Sequence, residues 1–368
     1  MRIDSVSRVS FSGKIIDSHG HIGKWGSIMY EPESLDIFTN TSLSNGDEIE
    51  KIIASNSSCI DNENTLDELV GNRKMLECSE RNPKIAPLAV CQPKLTKGDT
   101  TKIEQLFNEN PNKFVGLKFH PKCMELPADD ASYDNYMKLA QRYKLPCLFH
   151  SDKTYDVVYQ DGSIGAKCPY SRPEQIYTLA KRHKTVPVIL AHMGGNEGNN
   201  AQKAIDVIIE SIEKGDANLY ADISWVNADT ADKPDIVKAI KRLQKTSKGD
   251  KTDRLLFGTD APLGEFGHGG KNGVSPREAY SNLVINIKTS IRKAFDKDEA
   301  DKIINKIFYQ NAKDLFFGHI TEGREDSKTI GQSIKSLKKV AIAVGIVGIV
   351  GVVYKIFQNR LSGTKGSK

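Results

Sequence analysis

His19 and His21 stand one residue apart in IIDSHGHIG, residues 15 to 23, in a chain with only eight histidines among 368 residues. Two imidazoles on one side of a strand can converge on a single divalent ion. Further histidines close apolar runs downstream: His120 in VGLKFHP, His150 in PCLFHSD and His192 in ILAHMGG. Asp260, in LLFGTDAP, adds a carboxylate in the same kind of setting. Neutral imidazoles with one carboxylate suit zinc or another borderline divalent metal. Each residue alone also has an ordinary reading: a surface loop pair for His19 and His21, a polar strand end for His120, structural caps for His192 and Asp260. Gathered around one pocket, they would be a metal site. His183, His268 and His319 fall outside the pattern.

The elements that would gather them are legible as an alternation. KIID, KIIASN, IAPLAVCQP, FVGLKFHP, PCLFHSD, PVILAHMGG, NLYADISW and RLLFGTDAP are short apolar runs. Most are separated by stretches of helical spacing such as TLDELVGNRKMLECSERN, RPEQIYTLAKRHKT and PREAYSNLVINIKTSIRKAF. Near-continuous apolar strands alternating with helices predict a parallel sheet covered on both faces. Eight such units over residues 14–318 predict an α/β fold, a (β/α)8 TIM-like barrel. An open doubly wound sheet is the rival, but no glycine-rich phosphate loop follows the first strand. In a barrel the C-terminal ends of the strands share one mouth, so residues more than 200 positions apart would meet there.

Composition narrows the function classes. The chain is 38% hydrophobic and 27% charged, with a net charge of +5. Much of that charge lies in the last 35 residues, so the body carries no nucleic-acid footprint. Six cysteines without a CxxC suit reduced thiols rather than a disulfide framework or a cysteine zinc site. The first 13 residues have no apolar core of the kind a secretory signal needs.

The five motifs DSHGHIG, VGLKFHP, PCLFHSD, ILAHMGG and LLFGTDAP, in this order and with a closing NAKDLF, resemble the amidohydrolase superfamily. They are most similar to its amidohydrolase-related branch, which includes aminocarboxymuconate-semialdehyde and dihydroxybenzoate decarboxylases. The resemblance implies that His19, His21, His150 and Asp260 hold a divalent metal, usually zinc, with His192 beside it polarising the substrate or the attacking water. Asp260 would act as general base and then acid. The implied function is metal-dependent hydrolysis of an amide, ester or lactone bond in a small molecule. A non-oxidative decarboxylase of an aromatic or unsaturated acid is the alternative on the same site. A catalytically dead barrel kept as a binding module is a third class, against which the intact ligand set argues.

Three features lie outside that core. Lys118 shares a strand face with His120; it could be a carboxylated bridge between two metals, but an ion pair with an acid such as Asp222 is the preferred expectation, because an unpaired buried ammonium is costly. The glycine-rich stretch 264–273 could be a lid or a solvated insertion, and Tyr170 and Arg172 could contact an acidic substrate. After a polar linker at 319–336, the uncharged run 340–354 predicts a transmembrane helix over 337–357, followed by a basic tail at 358–368. The run spans about 22 Å, short of a hydrocarbon core of roughly 30 Å unless the flanking lysines snorkel. The expectation is a cytoplasmic catalytic domain tethered to a membrane, and a homo-oligomer is compatible with it.

Overall fold

The computed structural model describes residues 13–40, 42–60, 65–152, 170–195, 201–225, 235–263 and 273–318, with the backbone alone at 155–158, 164–168 and 200. The compact unit that carries the fold ends at Phe317.

The strands are β1 (Lys14–Trp25), β2 (Ile28–Tyr30), β3 (Glu48–Asn56), β4 (Ile85–Val90), β5 (Gly116–Phe119), β6 (Cys147–Phe149), β7 (Tyr155–Val158), β8 (Ile164–Cys168), β9 (Pro187–Leu190), β10 (Asn218–Asp222) and β11 (Leu255–Leu256). The helices through the first half are α1 (Glu33–Thr39), α2 (Glu68–Arg81), α3 (Pro93–Thr96), α4 (Thr101–Glu109), α5 (Pro121–Met124) and α6 (Asp134–Tyr143). The second half adds α7 (Pro173–Arg182), α8 (Asn200–Lys214), α9 (Asp235–Leu243), α10 (Pro276–Ala294) and α11 (Lys297–Asn305).

Nine strands form one curled mixed sheet in the order β11-β10-β9-β6-β5-β4-β3-β1-β2, with β7 and β8 paired separately as an antiparallel hairpin. All neighbours in the large sheet are parallel except β1 and β2. All eight apolar runs read from the sequence are strands of this sheet, and the architecture is TIM-barrel-like. The curl brings the chain after β11 back onto β1: Ser18 N donates to Phe257 O at 2.9 Å, Asp260 N to His19 O at 2.8 Å and His21 N to Ala261 O at 2.7 Å. Those three bonds place Asp260 beside the histidine pair, although the chain separates them by more than 230 residues.

Helix positions follow from amphipathic spacing and caps. In α9 the buried residues Ile236, Val237, Ala239, Ile240 and Leu243 make one apolar stripe. The Ser275 side chain accepts from Glu278 N and Pro276 occupies the first turn, which starts α10 where the sequence predicts it. At the opposite end of β1, Lys288 of α10 pairs with fully buried Asp47 at 2.5 Å, and Asp47 also accepts from Gly13 N at 2.8 Å.

The membrane tether requires correction. Among the described residues no helix is long and apolar enough to cross a membrane. The longest, α10, buries one face against the core and carries Arg277, Arg292 and Lys293 outside that buried set, so its charge pattern is that of a helix lying on a sheet. The run 337–357 on which the tether, the membrane partner and the localisation rested lies outside the described residues, and the fold gives them no support.

Glu68, the first residue of α2, is fully buried. Its Oε2 accepts from Gln92 N at 2.9 Å and from Tyr136 OH at 3.0 Å. Burial pushes its carboxyl up to about 7, with those two bonds opposing. The stability carried by the protonated form is therefore fully present below about pH 4.5 and lost as pH rises through about 7. Glu68→Gln keeps an oxygen for Gln92 N and cannot ionise. In urea titrations the variant should gain on the parent at pH 8 relative to pH 4.5, and an equal difference at both values would refute the ionisation cost.

Candidate metal centre

β1 runs further than its apolar start suggests. It continues because β3 pairs alongside it as far as Ile22 and β2 then pairs with Gly23 to Trp25, so His19 and His21 lie within the strand rather than after it. The register sets His21 opposite Ser55, and Ser55 Oγ lies 3.0 Å from His21 Nδ1. His19 is held from the other side. Its Nδ1 stands 3.0 Å from Asp222 Oδ2 at the end of β10. A carboxylate oxygen only accepts, so the ring proton of His19 sits on Nδ1 and its Nε2 lone pair faces the pocket.

Asp260 meets both imidazoles through one oxygen: Oδ1 lies 2.9 Å from His21 Nε2 and 3.2 Å from His19 Nε2. Its Oδ2 accepts from Trp225 Nε1 at 2.7 Å. His192 is the second residue of a short turn, Ala191–Gly194, after β9. Its Nδ1 is 2.8 Å from Ser224 Oγ, its backbone N donates to Asp222 Oδ1 at 3.1 Å, and its ring stacks on His19 with centroids 4.9 Å apart. Ligand atoms of His19, His192 and Asp260 all lie within 4.8 Å of one another. His150 joins through His192, its Nδ1 standing 3.2 Å from His192 Nε2, while its own Nε2 is buried and makes no hydrogen bond among the described residues, the Asp152 carboxylate lying 4.0 Å away. His120 stacks flat on His150 with centroids 4.0 Å apart, and its Nδ1 accepts from Cys123 N at the start of α5, as a strand-end cap would.

The backbone here is strained. His192, Trp225 and Asp260 have φ of 58°, 58° and 66°, a left-handed conformation that costs roughly 1–2 kcal/mol for a residue with a Cβ. Such outliers cluster where surrounding structure over-determines a functional geometry. Two glycines admit that geometry. A Cβ on Gly258 would stand 3.1 Å from His19 Cβ and 3.2 Å from Asp222 Cβ. Gly195, at φ 92°, would press a Cβ to 2.8 Å from Asp152 Oδ1.

Burial sets the electrostatics. It pulls His19 and His21 below their usual value, His120 and His150 well below it, and His192 down to about 4, so the imidazoles are neutral at pH 7. Burial works against ionisation of Asp260, but His19, His192 and the bond with His21 outweigh it and hold the carboxyl well below its usual range. Asp222 follows the same pattern, brought down to about 2 against burial by His19. Lys118 is fully buried, and burial lowers its ammonium to about 8. The expected Lys118–Asp222 ion pair does not form. Asp222 is committed to His19, to His192 N and to Ser224, and the Lys118 Nζ instead lies 2.7 Å from His19 Nε2. Beneath the site, buried Asp17 accepts from His19 N, Thr259 Oγ1 and Tyr280 OH, tying β1 to the loop that carries Asp260.

The structure thus brings together His19, His21, His192 and Asp260, with His150 one imidazole removed. Arg172 is exposed ahead of α7 with its N–H on Gln175, and the Tyr170 carbonyl accepts from Ala128 N; among the described residues neither is bonded to the imidazoles. His268, most of the glycine-rich stretch, and His319 lie outside the described residues. Ser55, Ser224 and Trp225 carry no motif of their own and were not legible as site residues. The only signal was their position, opposite or just beyond a strand end.

A family model described as Amidohydrolase matches residues 61–318, a span that includes His120, His150, His192 and Asp260 and follows His19 and His21. An amidohydrolase from Burkholderia multivorans, solved with bound zinc, is similar at a TM-score of 0.52 and 12% identity over 82% of this chain and 98% of that one. A Pseudomonas putida protein provisionally described as 2-pyrone-4,6-dicarboxylic acid hydrolase gives 0.52 and 11% over 82% and 97%. 5-Carboxyvanillate decarboxylase from Novosphingobium aromaticivorans, complexed with manganese, gives 0.47 and 14% over 73% and 76%. Comparison with curated proteins gives no match. At these identities the structural likeness speaks for the fold alone. The family model, however, spans well over half of the sequence, and on that ground the chain belongs to the amidohydrolase family of metal-binding enzymes.

Proposed function

We propose that the protein is a metal-dependent hydrolase of small-molecule amides, esters or lactones, built on a closed (β/α)8 barrel over residues 14–318. In this reading His19, His21, His150 and Asp260 hold one divalent ion, zinc by the chemistry of the donors, and His192 and Asp260 act on the substrate. One observation carries it. His19 Nε2 and Asp260 Oδ1 are both acceptors, yet they face each other at 3.2 Å in a buried pocket. Two facing lone pairs repel unless a cation lies between or beside them; the Lys118 ammonium, 2.7 Å from His19 Nε2, plays that part here, and a bound divalent ion would take its place. The buried Nε2 of His150, which makes no hydrogen bond among the described residues, also fits a ligand to an ion.

When bound, the ion lowers the pKa of water toward 7 and polarises the scissile carbonyl. Asp222 and Ser55 fix the ring orientations of His19 and His21 so that both Nε2 atoms face the pocket. Asp260, ionised at neutral pH, takes the proton of the attacking water and returns it to the leaving group. His192 gives its ring proton from Nδ1 to Ser224 Oγ, whose own hydroxyl is committed to Asp222, so its Nε2 faces the pocket as an acceptor that orients the attacking water.

The test is a pH-stat assay of chelator-treated protein across lactones, cyclic amides and esters, with and without added zinc. Zinc-dependent acid release from one of these classes is expected. Carbon dioxide released from an aromatic or unsaturated acid, with no hydrolysis of any class, would assign the site to decarboxylation instead.

A further inference from the structure

Trp225 does something for the site that its position does not advertise. It lies three residues past the end of β10, its side chain is 45% exposed, and its backbone sits at φ 58°. A half-exposed indole earns little from burial, so packing does not account for a large aromatic residue in a left-handed conformation. What the conformation achieves is aim: Nε1 donates to Asp260 Oδ2 at 2.7 Å. The two oxygens of that carboxylate are thereby divided, Oδ1 toward His19 and His21 and Oδ2 onto the indole. Turning the carboxylate would break a short bond to an ionised acceptor, the stronger kind.

We propose that Trp225 is a positioning residue for Asp260. Its N–H fixes the carboxylate so that Oδ1 stays on the imidazole side, and so sets how tightly the site holds a divalent cation. The inference rests on the reading of Asp260 as a ligand. Partners of metal ligands that orient them in this way typically control affinity by about 10–100-fold.

The chain has two tryptophans, Trp25 and Trp225, so Trp25→Phe leaves Trp225 as a unique reporter. Zinc affinity is measured on chelator-stripped full-length protein by competition with a chromophoric chelator. Trp225→Phe keeps the ring and removes the donor. It should bind zinc about 10–100-fold more weakly than the parent, with an unchanged melting temperature in the stripped form. In Trp25→Phe, zinc should change the tryptophan emission, and adding Asp260→Asn should abolish that response. Equal zinc affinity in Trp225→Phe and parent would overturn the inference, as would a fall in affinity matched by a fall in stripped-form stability. If Trp225→Phe does not fold, an emission indifferent to zinc in Trp25→Phe overturns it alone. A parent that binds no zinc would overturn the metal reading itself, a distinguishable failure that removes this inference with it.

Discussion

Asp260→Asn should lower turnover by about 10²–10⁴-fold, the usual worth of general acid–base help, while leaving the fold in place. The substitution is close to isosteric. Asparagine tolerates the left-handed backbone that Asp260 adopts at φ 66°, and its amide oxygen can still accept from Trp225 Nε1. What disappears is the negative charge and the basic oxygen that faces His19 and His21. A structural role alone would therefore leave turnover nearly intact. The check is steady-state kinetics on the substrate class found by the pH-stat assay, with thermal melts of both proteins. Near-normal turnover with zinc still bound would remove Asp260 from proton transfer.

Replacing His19 and His21 together by Ala should cost more than about 100-fold in zinc affinity, beyond the loss that follows from disturbing a ligand's supporting partner. Both side chains are buried and both present Nε2 to Asp260, so no solvent-facing imidazole can take their place by a small rotation. Asp222 would lose the ring it orients, which gives the double variant a second, structural penalty. Circular dichroism of the stripped proteins separates the two effects. A folded double variant that titrates with zinc like the parent would take both histidines out of the ligand set.

Much of this was legible before any coordinates. The eight apolar runs declared the sheet because a strand buried on both faces must be apolar almost throughout, and the placement of His120, His150, His192 and Asp260 at their ends followed. Short elements were missed: β2, α3 and α5 are set by pairing and packing rather than by any period, whereas α1 and α11 carry a helical period too short to stand out, Leu35 with Phe38 in one and Ala300, Ile303 and Ile304 in the other. The extent of β1 depends on β3 running beside it. The partner of Lys118 depends on Asp222 being already committed to donors from His19, His192 and Ser224. The same limit applies within the site. Sequence reasoning named His150 as a ligand and His192 as its neighbour; ligand atoms of His192 lie within 4.8 Å of those of His19 and Asp260, while His150 meets that group through His192. Which ring turns toward an ion is a matter of side-chain rotation, and no spacing encodes it.

Elemental analysis of the folded full-length protein, purified without chelator, tests the central claim most directly. The account predicts about one divalent ion per chain, as expected for a mononuclear site, and none in the His19→Ala/His21→Ala protein prepared alongside. A parent that carries no divalent ion and takes up none on addition of zinc would contradict it.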